Sequence, residues 1–365
     1  MNIILIILVF GVIIFFHELG HFIVAKINHI TVKEFSMGFG PKLFQFHKKE
    51  TQYTLRLIPL GGYCMMLSED DEENENDENS FEKKSIWARM AVVLAGPAMN
   101  FVIAFLFSMV IIHFCGSDPA IIGAVYNKDN IEKYQIENAE EYFNGVYPAE
   151  EAGISDGDRV LKIEGSTVKN FRELQIYLQI YGDGSPIDLT LEKEDGTVYD
   201  TTVHPAKTPD GYKIGIMSVG YQLPKNFGEL CKYSAYETRY WVKATFLSLK
   251  LIVTRQVSSD EVSGPVGVAK NMNDTFNEAA KSSVLDLFLN WMNYIVLLSA
   301  NLGVMNLLPI PGLDGGRFIF LLIEAVTRKK VPKDKENIVT LIGFVLVILL
   351  MVVILFNDIK NVFFH

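Results

Sequence analysis

Five consecutive residues, His17-Glu18-Leu19-Gly20-His21, carry a pattern with a definite chemical use. Side chains four apart on a helix share a face, so His17 and His21 can grip one ion. Zinc takes imidazole nitrogen in a tetrahedral site and, when catalytic, keeps one position open for water. Bound water then ionises near pH ~7. Glu18 follows the first imidazole directly and is placed to serve as general base toward that water. The surroundings sharpen the reading. Two imidazoles and a carboxylate lie in a long apolar run, where ionisable groups are costly and mark functional sites.

A third protein ligand is required. The other histidines are His29, His47, His113, His204 and His365. His17 stands roughly 20–25 Å along the first apolar run from its start. A later run that enters from the same side reaches that depth at Asn306-Leu307-Leu308-Pro309-Ile310-Pro311-Gly312-Leu313-Asp314-Gly315-Gly316. Asp314 is the acid at the matching depth. The prolines and glycines break the helix, as is tolerated at such depth when the backbone lines a cavity.

The elements that must hold these groups are membrane helices. Of 365 residues, 49% are hydrophobic, and they are clustered. Four stretches reach the ~20 residues needed to cross a bilayer: about Asn2–Ala25, Met90–Cys115, Val284–Leu308 and Ile338–Phe356. The first is not read as a cleaved leader, because no basic residue precedes it and it carries His17, Glu18 and His21. Lys26, Lys33, Lys42, Lys48, Lys49, Arg56, Lys83, Lys84 and Arg89 lie between spans one and two. Arg317, Arg328, Lys329, Lys330, Lys333 and Lys335 lie between spans three and four. Both loops therefore read as cytoplasmic, and the long segment between spans two and three as extracytoplasmic.

The expected division is 1–26, first span; 27–68, membrane-associated β-hairpin; 69–86, acidic cytoplasmic linker; 87–116, second span; 117–222, small outer domain; 223–283, amphipathic connection; 284–316, third span; 317–337, cytoplasmic loop; 338–365, fourth span and tail. Alternation at Tyr53, Leu55 and Leu57 marks strand in the second segment. The acidic run 69–82 reads as a solvated linker, with calcium binding as the alternative. Phe227–Arg255 reads as an amphipathic helix, lying either on the membrane surface or on the outer domain. The net charge of −10 gives no footprint for nucleic acid. Cys64, Cys115 and Cys231 form no disulfide framework, although a Cys115–Cys231 bridge is conceivable.

Together, HELGHF, GFGPKLF, IPLGGY, AGPAMN, SGPVG and NLLPIPGLDGG resemble the bacterial site-2 protease family, in particular the RseP-like metalloproteases of regulated intramembrane proteolysis. The resemblance implies a membrane α+β fold with four transmembrane helices, and Zn2+ held by His17, His21 and Asp314 with Glu18 as catalytic base. It also implies support of substrate or transition state by Asn306, Asn100 and Gly96. Helix–helix hydrogen bonding is the plainer reading of the two asparagines. Tyr147–Gly165 resembles the core of a single extracytoplasmic PDZ domain, which would accept a peptide or exclude bulky substrates. Residues 31–67 resemble a membrane-associated hairpin that pairs with an unwound substrate. The implied partners are the bilayer and single-span membrane proteins such as anti-sigma factors or signal-peptide remnants. A scaffold would not need these buried ligands, and no repeated halves suggest a transporter.

Overall fold

A computed structural model describes residues 2–67, 77–127, 130, 142–254 and 264–364. The chain forms two compact units. One comprises residues 1–108 and 245–365, the other residues 109–244.

The first unit is built on helices long and apolar enough to cross a membrane: α1 (Asn2–Ile27), α2 (Ile86–Cys115, which runs on into the second unit) and, later in the chain, a third and fourth span. Between α1 and α2 lie β1 (Val32–Lys48) and β2 (Thr51–Met66), paired antiparallel. Both strands bend. As a result Glu34–Met37 of β1 pair with Gln52–Leu55 on one side and with Gly62–Met65 on the other. The hairpin is in effect a small sheet with the 62–66 segment at one edge. Arg56 buckles it: its guanidinium donates to Ser36 Oγ (3.0 Å), Gly40 O (3.0 Å), Glu34 Oε1 (2.9 Å) and Tyr63 Oη (2.5 Å). Residues 68–76, most of the acidic run, lie outside the described residues. The end of the expected linker is packed rather than free: Ser80 is buried and Phe81 N–H donates to Leu67 O.

Two further helices of this unit escaped the sequence reading. The remaining α-helices that lie wholly within the described residues are, in chain order, α3 (Pro148–Glu151), α4 (Phe171–Ile180), α5 (Phe227–Val253), α6 (Pro265–Ser282), α7 (Val284–Leu307), α8 (Asp314–Thr327) and α9 (Lys333–Phe364). The expected connection before span three contains α6, whose Met272 and Phe276 are fully buried with Val9, Ile13, Ile103 and Ile295. The expected cytoplasmic loop 317–337 is helical as far as Thr327. Its Phe318 and Leu321 pack on Met90 and Val93 of α2, which gives a short helix its reason to form. Spans three and four are α7 and α9. Near the end of α9 the buried Asp358 carboxylate accepts from the backbone N–H groups of Gly264 (2.9 Å), Val266 (2.8 Å) and Gly267 (2.9 Å). It thus satisfies the open N-terminus of α6 with a favourable charge.

The second unit holds an antiparallel sheet in the order β5 (Ser166–Thr167), β4 (Arg159–Ile163), β6 (Ile187–Glu192), β7 (Val198–Val203), and a separate pair of β3 (Ile122–Val125) with β10 (Ile216–Ser218). A third pair joins β8 (Ala206–Thr208) to β9 (Gly211–Lys213). Val160, Ile163, Leu174, Leu189 and Leu191 form its interior. The anticipated turn chemistry is present: α3 starts at Pro148, Gly153 and Gly157 have positive φ, and β4 follows. Most of the polar stretch 127–143 lies outside the described residues. None of the three cysteines is in a disulfide, so the conceivable Cys115–Cys231 bridge is not formed.

Asp358→Ala would strand two buried amides and a half-buried one, at a cost of roughly 3 kcal/mol. Thermal unfolding in detergent should show a clear fall in Tm. An unchanged Tm would mean that α6 is held elsewhere.

Candidate metal centre

The helical register of α1 turns His17 and His21 to one face, and both are buried at 8% exposure. Their Nε2 atoms are 3.3 Å apart. The third member arrives from a break in the chain. After α7 ends, Pro309 and Pro311 prevent helix, and the backbone folds back before restarting at Asp314. Gly315 and Gly316 make that fold possible: a Cβ on them would lie 2.2 Å from Leu308 O and 2.4 Å from Ile310 O. Asp314 Oδ2 thereby stands 3.2 Å from His17 Nε2 and 3.4 Å from His21 Nε2.

These three atoms make a nearly equilateral triangle. Ligands at ~2.0–2.1 Å on three corners of a tetrahedron would be about 3.3–3.4 Å apart. Asp314 Oδ2 is buried without a hydrogen-bond partner despite its two close neighbours. Three potential ligand atoms this close together form a donor set of the size and chemistry that a divalent ion takes. Among the described residues this is the one group of histidine, cysteine and acidic side chains with such geometry.

Neighbouring groups fix the imidazoles. His21 Nδ1–H donates to Val92 O at 2.8 Å, which leaves Nε2 with its lone pair. The Asn100 side-chain amide lies 3.1 Å from His17 Nδ1, and its Oδ1 has no other partner. With the amide oxygen turned to His17, it accepts from Nδ1–H and frees Nε2 of that ring too. Gly96 explains itself by space: a Cβ there would meet His21 Nε2 at 2.3 Å and His17 Cε1 at 2.8 Å. Asn306, near the end of α7, brings its amide nitrogen within 3.5 Å of His17 Nε2. All seven residues singled out from the sequence are therefore in one place, with Glu18 lining the adjoining cavity.

That cavity, about 580 Å³, is also bordered by residues the sequence reading missed as site residues. Tyr63, Cys64 and Met65 come from the outer edge of the hairpin sheet. Burial, with Glu18 beside it, pushes the Cys64 thiol up to about 12, so it stands protonated at neutral pH. Arg89 and Glu324 pair through two hydrogen bonds, at 2.6 and 3.1 Å, and join α2 to α8 at the rim. Arg89 drew notice only as a charge beside a span. Nothing in its local sequence names a partner 235 residues away.

Residues 5–350 match the description Peptidase family M50. The chain belongs to this family, that of the site-2 proteases. It is 37% identical to a Clostridium acetobutylicum chain whose assignment as a zinc metalloprotease is itself provisional, over 98% of this chain and 97% of the other. It is 32% identical to the zinc metalloprotease RasP of Geobacillus kaustophilus, over 99% and 98% of the two chains. It is 29% identical to the regulator of sigma-W protease RasP of Bacillus subtilis, over 98% of each. As a member of a peptidase family the chain is a peptidase, and zinc is the metal named for these relatives.

Gly96→Ala would push a methyl group into both rings. The purified variant should carry well under one zinc per chain by atomic absorption while keeping its helical circular dichroism. Full zinc occupancy would show that the rings have room to yield.

Proposed function

We propose that this chain is a zinc-dependent intramembrane endopeptidase that cleaves single-span membrane proteins in regulated intramembrane proteolysis. The observation that carries this reading is the 3.2–3.4 Å triangle of His17, His21 and Asp314 atoms opening on a cavity that also holds Glu18. In this reading those three residues hold zinc and Glu18 is the base. When bound, zinc supplies a Lewis acid that activates water and polarises a carbonyl.

The residues then divide the work. A transmembrane helix hides its peptide bonds in its own hydrogen bonds, so it must unwind before it can be cut. The outer edge of the hairpin sheet at Gly62–Met65 has no second strand beside it among the described residues and borders the cavity, so it suits an extended strand that would compete with Glu18 for the Cys64 N–H. Pairing there presents a scissile carbonyl to Glu18. Glu18 takes a proton from the attacking water and returns it to the departing amine as the C–N bond breaks. The Asn306 amide lies close enough to His17 to donate to the carbonyl oxygen as negative charge grows on it. Asn100 and Gly96 act through the rings, one by hydrogen bond and one by leaving space.

The basic loops favour a site toward the cytoplasm, with residues 117–222 outside as a PDZ-like domain. A cavity of about 590 Å³ beside α4 and β10, lined by Phe171, Leu178, Ile214 and Ile216, suits an extended peptide. A size filter is the other use of such a domain. Anti-sigma factors or signal-peptide remnants fit as substrates, in keeping with the name of the Bacillus subtilis relative.

Glu18→Gln should retain one zinc per chain and lose at least about 10²-fold in cleavage of a single-span reporter in liposomes. Retained cleavage would remove Glu18 as the base. Asp314→Asn should lower zinc content, and unchanged content would assign the third ligand to another residue.

A further inference from the structure

The second unit contains a cavity of about 400 Å³ that the proteolytic reading leaves unused. It lies between Pro119–Ile121, the start of β4 and the first half of α5. Its lining includes four cations: Arg159, Lys169, Lys225 and Lys232. Two carboxylates, Glu192 and Glu229, also line it, and each is engaged. Glu192 faces Arg159 at 3.8 Å, and Glu229 accepts from the backbone N–H of Lys225 at 2.7 Å. Among the described residues no carboxylate comes within ion-pair distance of the ammonium groups of Lys169, Lys225 or Lys232. Lys169 and Lys232 each stand 5.8 Å from the centre of the Tyr236 ring, so one aromatic plane gathers two cations.

One part of the lining has a different character: Leu223 is 63% exposed, and Tyr221 and Phe227, near it in the chain, are 64% and 71% exposed. Between the first two, Gln222 exchanges backbone hydrogen bonds with Ser117, at 2.9 and 2.8 Å. Ser117 lies two residues beyond Cys115, the end of the helix α2 that forms the second span. Pro119, on the cavity wall, is four residues beyond it and so within about 14 Å. An exposed apolar and aromatic segment beside lysines that have no carboxylate partner, hydrogen-bonded to the chain just past the end of α2, has the composition of an interfacial lipid contact.

We propose that this cavity binds the phosphate of an anionic phospholipid headgroup, with Tyr221, Leu223 and Phe227 at the acyl boundary and Lys169, Lys225 and Lys232 around the phosphate. A zwitterionic lipid carries its own ammonium and would leave the lysines less well neutralised. Such a lipid would hold this unit against the bilayer surface beside the second span. The inference needs only that α2 crosses a membrane and is independent of the catalytic assignment.

The test uses the full chain in detergent, with dioleoylphosphatidylglycerol or dioleoylphosphatidylcholine added and retained lipid counted by native mass spectrometry. The wild type should retain phosphatidylglycerol in preference. The double variant Lys169→Gln/Lys232→Gln should lose roughly tenfold in that preference. Lys169→Arg/Lys232→Arg should restore it, and Lys207→Gln/Lys213→Gln, on β8 and β9, should leave it unchanged. Unaltered thermal unfolding and zinc content in the glutamine variant would separate lost binding from lost folding. Equal retention by the wild type and the glutamine variant would overturn the proposal. So would displacement of the bound lipid by millimolar inorganic phosphate, since the site would then recognise the free ion.

Discussion

Convergence of two imidazoles and one carboxylate inside an apolar helical unit is the constraint on which everything else depends. Polar groups in such surroundings are costly unless they have partners. In the proposed site the three donor atoms, 3.2–3.4 Å apart, would share a cation held between them. Their positions are set from several directions at once. The register of α1 supplies the histidines. Gly96 of α2 makes room for both rings, Asn100 and the Val92 carbonyl orient them, and the Gly315-Gly316 turn delivers Asp314. The site is therefore a property of the packed unit rather than of the five-residue motif.

The bent hairpin sheet borders the cavity of this centre and is the element proposed to receive a substrate strand. Because Glu34–Met37 pair on both sides, the interior of the small sheet is saturated and only its edges remain available. One edge borders the cavity beside Glu18. The Arg56 buckle ties the middle strand to Tyr63 on that edge, which keeps its backbone groups aligned. In the proposed reading, a strand edge beside Glu18 suits a protease whose substrates arrive as closed helices.

Much of this was legible in the sequence because it rests on short-range rules. Four apolar runs, the i and i+4 histidines, and the Pro and Gly break before Asp314 each leave a local mark. What stayed hidden depends on distant partners. The helix α6 has a polar composition and no apolar run, and Met272 and Phe276 become core only against α1, α2 and α7. Helix α8 was expected as loop because its apolar run, Phe318–Ile323, is too short to cross a membrane and gains meaning beside Met90 and Val93. The double pairing of β1 follows from bends that alternation of side chains does not report. The link from Asp358 to the start of α6 likewise spans more than ninety residues.

X-ray absorption at the zinc edge of the metal-loaded protein tests the central claim most directly. The account predicts a first shell of two imidazole nitrogens with oxygen at about 2.0–2.1 Å and no sulfur. A zinc–sulfur distance of about 2.3 Å would place Cys64 on the metal and contradict the His17, His21 and Asp314 assignment.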